Sequence, residues 1–547
     1  MTELSLAAGF PAASAQEWRR LAVAVLRKSG AAGADTPDEA VDELLATQTY
    51  DGIRLAPLHT AGTPAVRPPH VRAGAWEVRQ RHGGTDAKRV NEEILADLDN
   101  GVGGVWLDGP LLPGMFDGVY LDLISVAVSR DAAGELLDAE TLHGTLGLDP
   151  ERDLDLIRVA VERHPGVRAV TVDGTRFHEE GASDAQELGC AVAEAVAHLR
   201  VLASSGLPVE RASAQLEFRF AATADQFGTV AKLRAARLMW ARVLQACGAP
   251  DSVRMYQHAV TSAVMLTARD PWTNLLRGTL ACFGAGVGGA DAVTVLPFDA
   301  AVGRPDGFAR RIARNTQSLL IEEANVARVR DPAGGSWYVE RRTAELARVA
   351  WEWFQEIERA GGFSAAADLI AERLAATWEK RRINIAHRRD PLTGLSEFPH
   401  LEEKPLVREA ADGPRPARRY AADFERLRDR ADAAPTRPTV FLATLGPVAA
   451  HTARVSFAAN LFAAGGIATV HSGPEDFGAS GTRVACICGT DKAYAEHAVG
   501  VAAALREAGA TTVWLAGRPA DHEGVDGYLY TGCDAIAALE STLEALA

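Results

Sequence analysis

The chain has 547 residues, 47% of them hydrophobic, which is enough to bury more than one core and is expected of a globular, soluble protein. Its 57 Lys and Arg against 72 Asp and Glu leave a net charge of −15, a balance that disfavours non-specific attraction to nucleic acid or to an anionic membrane. An anionic ligand would need a local basic pocket.

Ser14 with Glu17 forms a capping-box pattern, and Trp18, Leu21, Ala22 and Val25 then recur at helical spacing until Gly30. Thr36, Pro37 and Glu39 open a second helix carrying Val41, Leu44 and Leu45. Residues 1–50 therefore read as a helical arm, placed either on a partner or on the chain's own next domain. From Trp76 strands and helices alternate. The candidate strands are Trp76 to His82, Gly104 to Leu107, Val119 to Val126, Val167 to Val172, Gln215 to Phe220, Val253 to Tyr256, Ala292 to Leu296 and Val326 to Arg330. The clearest helices between them are Asp86 to Asp99, Asp184 to Leu202, Gln226 to Ala246 and Pro305 to Glu323. This cadence predicts a (β/α)8 TIM barrel over residues 51–400, closed by helices Val339 to Ala360 and Ala365 to Asn384.

Pro405, Pro414, Pro416, Pro435 and Pro438, with charged sequence and the short helical run Asp423 to Arg430 between them, mark residues 401–437 as a linker that wraps or spaces. Beyond it, strands Thr439 to Ala443, Ala468 to His471, Val484 to Cys488, Thr512 to Leu515 and Gly527 to Tyr530 alternate with helices, predicting a flavodoxin-like doubly wound domain over residues 438–547. The six cysteines are sparse and mostly apolar in setting, as expected of free thiols in a reducing cytosol, and Cys486-Ile487-Cys488 reads as core packing. No apolar run approaches the ~18 residues of a membrane span, and Met1 to Ser14 lacks the pattern of a signal peptide. The expected location is the cytoplasm, with no membrane or nucleic-acid partner.

Particular strings carry a resemblance. Thr49-Tyr50-Asp51-Gly52-Ile53 leading to Pro57-Leu58, Trp76-Glu77-Val78-Arg79-Gln80, Ala231-Lys232-Leu233-Arg234-Ala235-Ala236-Arg237, Thr267-Ala268-Arg269-Asp270-Pro271, Arg311-Ile312-Ala313-Arg314-Asn315-Thr316-Gln317 and Asp331-Pro332-Ala333-Gly334-Gly335-Ser336 resemble signatures of the methylmalonyl-CoA mutases, in that family's order and spacing. The likeness covers essentially the whole chain. It implies a barrel that admits acyl-CoA along its axis beneath a C-terminal domain that binds adenosylcobalamin. Homolysis of the cobalt–carbon bond there starts the radical exchange between methylmalonyl-CoA and succinyl-CoA.

The chain departs from the pattern where that cofactor would be positioned. The family's loop reads Asp-x-His-x-x-Gly, with His as the cobalt ligand and Asp orienting it. Aligned on His451, this chain has Ala449 for Asp and Arg454 for Gly; aligned on the following helix, Ala449 itself stands at the histidine position. His451 then reads as a first-turn residue of an ordinary helix. Cys488-Gly489-Thr490 replaces the family's Ser-x-Leu, and only Ala516-Gly517 remains of a glycine pair. In the barrel, Arg81 stands where the family has a tyrosine over the acyl group, Gln215 where an arginine pairs with the substrate carboxylate, and Asp173-Gly174-Thr175-Arg176 where Ser-Gly-Tyr-His is usual. His258 aligns with the family's substrate histidine.

The resemblance therefore implies a non-catalytic small subunit of a heterodimeric mutase, with no catalytic residue and no cobalamin or metal of its own. Arg81, Gln215 and His258 would be the remnant of a substrate pocket. Adenosylcobalamin would sit on a catalytic large subunit, which the arm would wrap. Two alternatives stay open: an active mutase for another acyl-CoA, using His451 as ligand with Arg81 or Arg176 on the substrate, and an acyl-CoA-binding regulatory subunit using Arg310-Arg311-Arg314 or Arg388-Arg389.

Overall fold

The computed structural model describes residues 13–60, 66, 68–69, 71–250, 253–411 and 416–547. Most of Met1 to Ser14, read as lacking a signal peptide, and Pro414 of the linker lie outside the described residues. The arm begins with helix Ala15–Lys28, whose first turn is capped by the Ser14 hydroxyl accepting the Glu17 N–H at 3.1 Å. A short helical turn, Asp38–Ala40 running into Val41–Leu44, packs against it through the fully buried Val41. A two-residue ladder, Thr47–Gln48 with Arg54–Leu55, then brackets Tyr50-Asp51-Gly52. Gly52 has φ +74°, the left-handed conformation that favours glycine in such a turn.

The barrel strands are β1 (Glu77–His82), β2 (Gly104–Leu107), β3 (Ser125–Val128), β4 (Gly144–Thr145), β5 (Val167–Arg168 and Val170–Asp173), β6 (Leu216–Ala222), β7 (Tyr256–Thr261) and β8 (Ala292–Thr294). All neighbours pair in parallel. The ring closes through β5, which breaks at Ala169: its first part pairs with β4 and its second with β6.

Four strand expectations are corrected. Val326 to Arg330 is irregular: a π-helical turn, Leu319–Glu323, follows helix Gly307–Ser318, and the chain then runs through bends and turns instead of a strand. β4 went unseen because two residues show no alternation; Gly144 is required there, since a Cβ would lie 2.1 Å from the Val126 carbonyl. Residues 119–124 turn before β3 begins, and β7 extends to Thr261 instead of ending at Tyr256.

The motif strings mostly report on this scaffold. Helix Gln226–Ala246 buries all three of its motif cations: Lys232 meets Glu187 at 2.7 Å, Arg234 meets Glu340 at 3.0 Å, and Arg237 is held by the Gly288 and Gly289 carbonyls. Arg314 and Gln317 sit within helix Gly307–Ser318, where Arg314 pairs with Asp97 and Gln317 accepts the Trp76 indole N–H at 3.0 Å.

The C-terminal sheet comprises β9 (Thr439–Thr444), β10 (Ala468–Ser472), β11 (Val484–Cys488), β12 (Thr512–Ala516) and β13 (Gly527–Leu529), all parallel in the order β10-β9-β11-β12-β13. This is the doubly wound flavodoxin order. Helix Ala422–Asp432 belongs to the core on one face of this sheet, with Phe424 and Leu427 fully buried beside Val440 and Leu461. Its outer face holds the barrel: Glu425 accepts the Ala268 N–H at 2.6 Å, and Arg269 pairs with Asp429 and Asp432. Phe424→Ala is expected to cost about 3–5 kcal/mol by leaving a cavity in this junction, read as a lowered urea midpoint.

Candidate functional site

Functional side chains of a (β/α)8 barrel are expected at the carboxyl ends of its strands and on the inward faces below them. Residues two apart on a strand share a face, so Glu77, Arg79 and Arg81 on β1, Glu217 and Arg219 on β6, and Tyr256 and His258 on β7 all turn to the axis. There they meet. Arg79 donates to Glu77 at 2.7 Å and to Glu217 at 2.8 Å, and Thr145 donates to the other Glu217 oxygen at 2.6 Å. One layer higher, Arg219 donates to Asp173 at 2.9 Å and to His258 Nδ1 at 3.2 Å. The His258 proton therefore sits on Nε2, which donates to Thr294 Oγ1 at 2.8 Å. Trp106 roofs this layer, its ring 4.1 Å from the Arg219 guanidinium and 5.0 Å from that of Arg81.

Arg79, Glu217 and His258 are all 0% exposed, so the axis is sealed at their level. Burial, then the neighbouring Arg79 and Arg219, holds His258 well below the ordinary histidine range, so it is neutral. Against the cost of burial, the same two arginines hold the Glu217 carboxyl below its usual value, while Glu217 and Glu77 raise Arg79. The network is charged and internally matched. It was missed as a set at the level of sequence, although the i, i+2 alternation of charges in Glu77-x-Arg79-x-Arg81 and Glu217-x-Arg219 is a signal unlike the Val, Ile and Leu that usually fill barrel interiors.

The expected pocket residues part company. Arg81 reaches the mouth, ion-paired with Asp108, and His258 lies one layer beneath it. Gln215 is at the opposite, amino end of β6, where its Oε1 accepts the Ala169 N–H at 3.3 Å across the break in β5. Arg176 pairs with Glu194 at 2.8 Å, Arg310 with Glu93 at 2.8 Å, and Arg388 with Glu397 and Asn460.

Two cavities flank the mouth. One of about 380 Å³ is lined by Arg81, Thr85, Asp108, Leu296 and Arg310. A second, of about 300 Å³, lies against Tyr50, Asp51, His178, Asp184 and Tyr420 beside β5 and β6. Burial, followed by the nearby Asp184, pushes the Asp51 carboxyl up to about 6. The linker crosses this face: Arg408 donates to Asp299 at 2.6 Å, the Glu409 carbonyl accepts the Arg304 N–H at 2.8 Å, and the Tyr420 N–H reaches the Val264 carbonyl at 3.1 Å.

In the doubly wound domain the ligand crevice lies at the carboxyl ends of β9 and β11, where strand order reverses. The connection there is short, Leu445-Gly446-Pro447, and helix Val448–Ala464 starts at once. Ala449 and His451 are both in its first turn; Ala449 is exposed, and His451 Nδ1–H donates to the Gly446 carbonyl at 3.2 Å. Arg454 pairs with Asp491 at 3.0 Å. Tyr494, 4% exposed, fills the crevice from the next helix. Its hydroxyl accepts the Gly489 N–H at 2.7 Å and donates to the Ala516 carbonyl at 2.8 Å. A Cβ on Gly489 would meet this ring at 3.3 Å and Leu445 at 3.0 Å, and one on Gly517 would meet the ring at 3.1 Å. Tyr494 was not singled out from sequence, because a tyrosine in a helix carries no sign of which strand ends it reaches.

Among the described residues no helix is long and apolar enough to cross a membrane, and no group of three or more His, Cys, Asp or Glu side chains could hold a metal ion. Cys190, Cys282, Cys486, Cys488 and Cys533 are buried free thiols and Cys247 is exposed.

A parallel eight-stranded barrel with a 2-1-3-4-5 doubly wound domain behind it defines the architectural class. Within that class, the methylmalonyl-CoA mutase family profile matches residues 113–471. The chain is 50% identical to the methylmalonyl-CoA mutase small subunit of Streptomyces virginiae, over 99% of this chain and 98% of that one. It is 36% identical to the small subunit of Propionibacterium freudenreichii subsp. shermanii, over 100% and 97%. The methylmalonyl-CoA mutase of Cereibacter sphaeroides is 29% identical, over 71% of this chain and 65% of that protein. The chain belongs to the methylmalonyl-CoA mutase family.

Burial, followed by nearby cations, pushes His82 and His178 down to about 3. Between the unfolded histidine value of about 6.5 and that depressed value, the unfolded chain binds protons that the folded chain does not. The stability each contributes is full above pH 6.5 and is lost as pH falls, by about 1.4 kcal/mol per unit per group. Glu187, raised by burial to about 7, acts in the opposite sense. His82→Gln should therefore flatten the loss of stability between pH 6 and 4 by about 1 kcal/mol per unit, measured by urea unfolding at each pH.

Proposed function

We propose that this chain is the small subunit of a heterodimeric methylmalonyl-CoA mutase, supporting a catalytic large subunit while performing no turnover itself. The observation that carries this reading is the sealed axis: Arg79, Glu217 and His258 have no exposure where an axial acyl-CoA would have to pass. Gln215, at the far end of β6, cannot join Arg81 and His258 around one substrate. The names of relatives that match nearly full length support the subunit assignment.

The residues present do not fit adenosylcobalamin. Tyr494 and Leu445 fill the crevice that would take its nucleotide tail, Arg454 stands in place of the permissive glycine, and His451 is bound to its own helix start with no carboxylate to orient it. In the proposed heterodimer the cofactor belongs to the large subunit, where succinyl-CoA and methylmalonyl-CoA are interconverted, and both chains reside in the cytoplasm.

The arm is suited to a partner. Leu21 and Val25 are 55% and 67% exposed, Leu44 and Leu45 48% and 39%, while Arg19 ties the two arm helices together through Asp42 at 2.8 Å. Co-expression with a catalytic large subunit should yield a 1:1 complex containing one cobalamin. The purified small chain should take up none after incubation with adenosylcobalamin and show no mutase turnover. Stoichiometric cobalamin on the isolated chain, read from its visible spectrum, or turnover by that chain would overturn the proposal.

A further inference from the structure

The cavity of about 300 Å³ beside β5 and β6 takes no part in the network on the axis. Its volume falls at the lower end of the range for small-molecule sites, about 300–1,000 Å³. It also lies where the segments following two barrel strands converge, the usual place for a ligand on this fold. Three further segments close it: the arm turn with Tyr50 and Asp51, helix Ala367–Ala386 with Arg381, and the linker with Tyr420.

Five charged side chains and the neutral His178 line this cavity. Three of the five are paired, Asp184 with Lys232 at 3.0 Å and Asp225 with Arg342. Asp51 and Arg381 remain, and among the described residues neither has an oppositely charged group within ion-pair distance. The Arg381 guanidinium lies 4.2 Å from the Tyr50 ring centroid and 5.1 Å from that of Tyr420. It donates to the Ala182 carbonyl only at 3.5 Å, and its Nε has no hydrogen-bond partner. A guanidinium carries five N–H donors in a fork that matches a carboxylate, so most of this one is unused. Asp51 accepts the Ala185 N–H at 3.0 Å, and burial with the nearby Asp184 raises its carboxyl, as befits an anion short of a cation. Ala182 and Ala185 are three residues apart, a stretch of chain that spans at most about 11 Å. The two opposite charges therefore flank one gap of molecular size.

We infer that this cavity binds a small zwitterion, an α-amino acid with an apolar side chain, its carboxylate on Arg381 and its ammonium on Asp51. A simple anion would meet Asp51 and Asp184, and a simple cation would meet Arg381 and Arg342. Only a ligand carrying both charges completes both partners without leaving one unmatched. Ile53, Leu55 and Leu346 give its side chain an apolar wall. The site stands whether or not the chain works as a subunit, and its ligand ties the arm and the linker to the barrel.

Calorimetric titration of the purified full-length chain with L-valine, L-leucine, L-methionine and L-phenylalanine tests the site. The tightest binder is then compared with its amide, which lacks the carboxylate, and with its deaminated acid, which lacks the ammonium. At least one amino acid should bind at millimolar concentration or below, at one site per chain. Both analogues should bind roughly 10-fold more weakly or worse, the worth of one charge-assisted hydrogen bond. Arg381→Gln and Asp51→Asn should each weaken binding as much, whereas Arg382→Gln, at an exposed pair with Glu379 on the same helix, should not. Hydrogen exchange over residues 47–55 should slow when the amino acid is added. No binding by any of the four amino acids would remove the site. An analogue that binds as tightly as its parent, or binding untouched by either variant, would overturn the zwitterion assignment. Should the variants fail to fold, the analogue series on the wild type decides alone.

Discussion

The contact on which the barrel depends is the one between Arg79 and Glu217, two fully buried charges 138 residues apart that meet at 2.8 Å on the axis. Each charge loses several kcal/mol of hydration when it leaves water, and only close geometry with every remaining donor and acceptor occupied offsets that cost. Glu77, Thr145, Arg219, Asp173, His258 and Thr294 supply most of that occupation, with Arg79 Nη2 left without a hydrogen-bond partner among the described residues, and the network so extends over two layers and six strands. Such an interior is expensive to disrupt: removing either partner would strand a charge in a place no water reaches. Under the proposed function, this ionic core stands where an axial passage for substrate would run.

The C-terminal domain shows the same physical solution on a smaller scale. A doubly wound sheet leaves a crevice at its switch point, and an empty crevice would expose strand ends and forfeit packing contacts. Tyr494 fills it with a ring and uses its hydroxyl to bond the free ends of β11 and β12 together. Strand, loop and helix are retained because the sheet still packs on Ala422–Asp432, and through that helix on the barrel. Under the proposed function, both domains keep the shape of an enzyme for the sake of an interface, and the chemistry is left to the other subunit.

Much of the fold was legible in the sequence because helix and strand periodicities are local. Asp184–Ser204, Gln226–Ala246 and all five C-terminal strands fall where their patterns place them within a residue or two. The misses have specific causes. Gly144–Thr145 is too short to alternate, and residues 326–330 are apolar enough to suggest a strand but run through bends and turns after a π-helical one. Gln215 was placed with Arg81 and His258 by alignment alone, which says nothing about which end of a strand faces the mouth.

The sequence by itself determined the order of elements and the two-domain architecture, and it set Ala449 and Arg454 where the resemblance expects Asp and Gly, because each of these is written in neighbouring residues. Only the tertiary structure decided that Arg79 finds Glu217, that His258 is held neutral between Arg219 and Thr294, and that Tyr494 closes its crevice. Those pairings join residues on different strands and helices, and the register that brings them together exists only once the barrel has closed through β5 and the second sheet has formed.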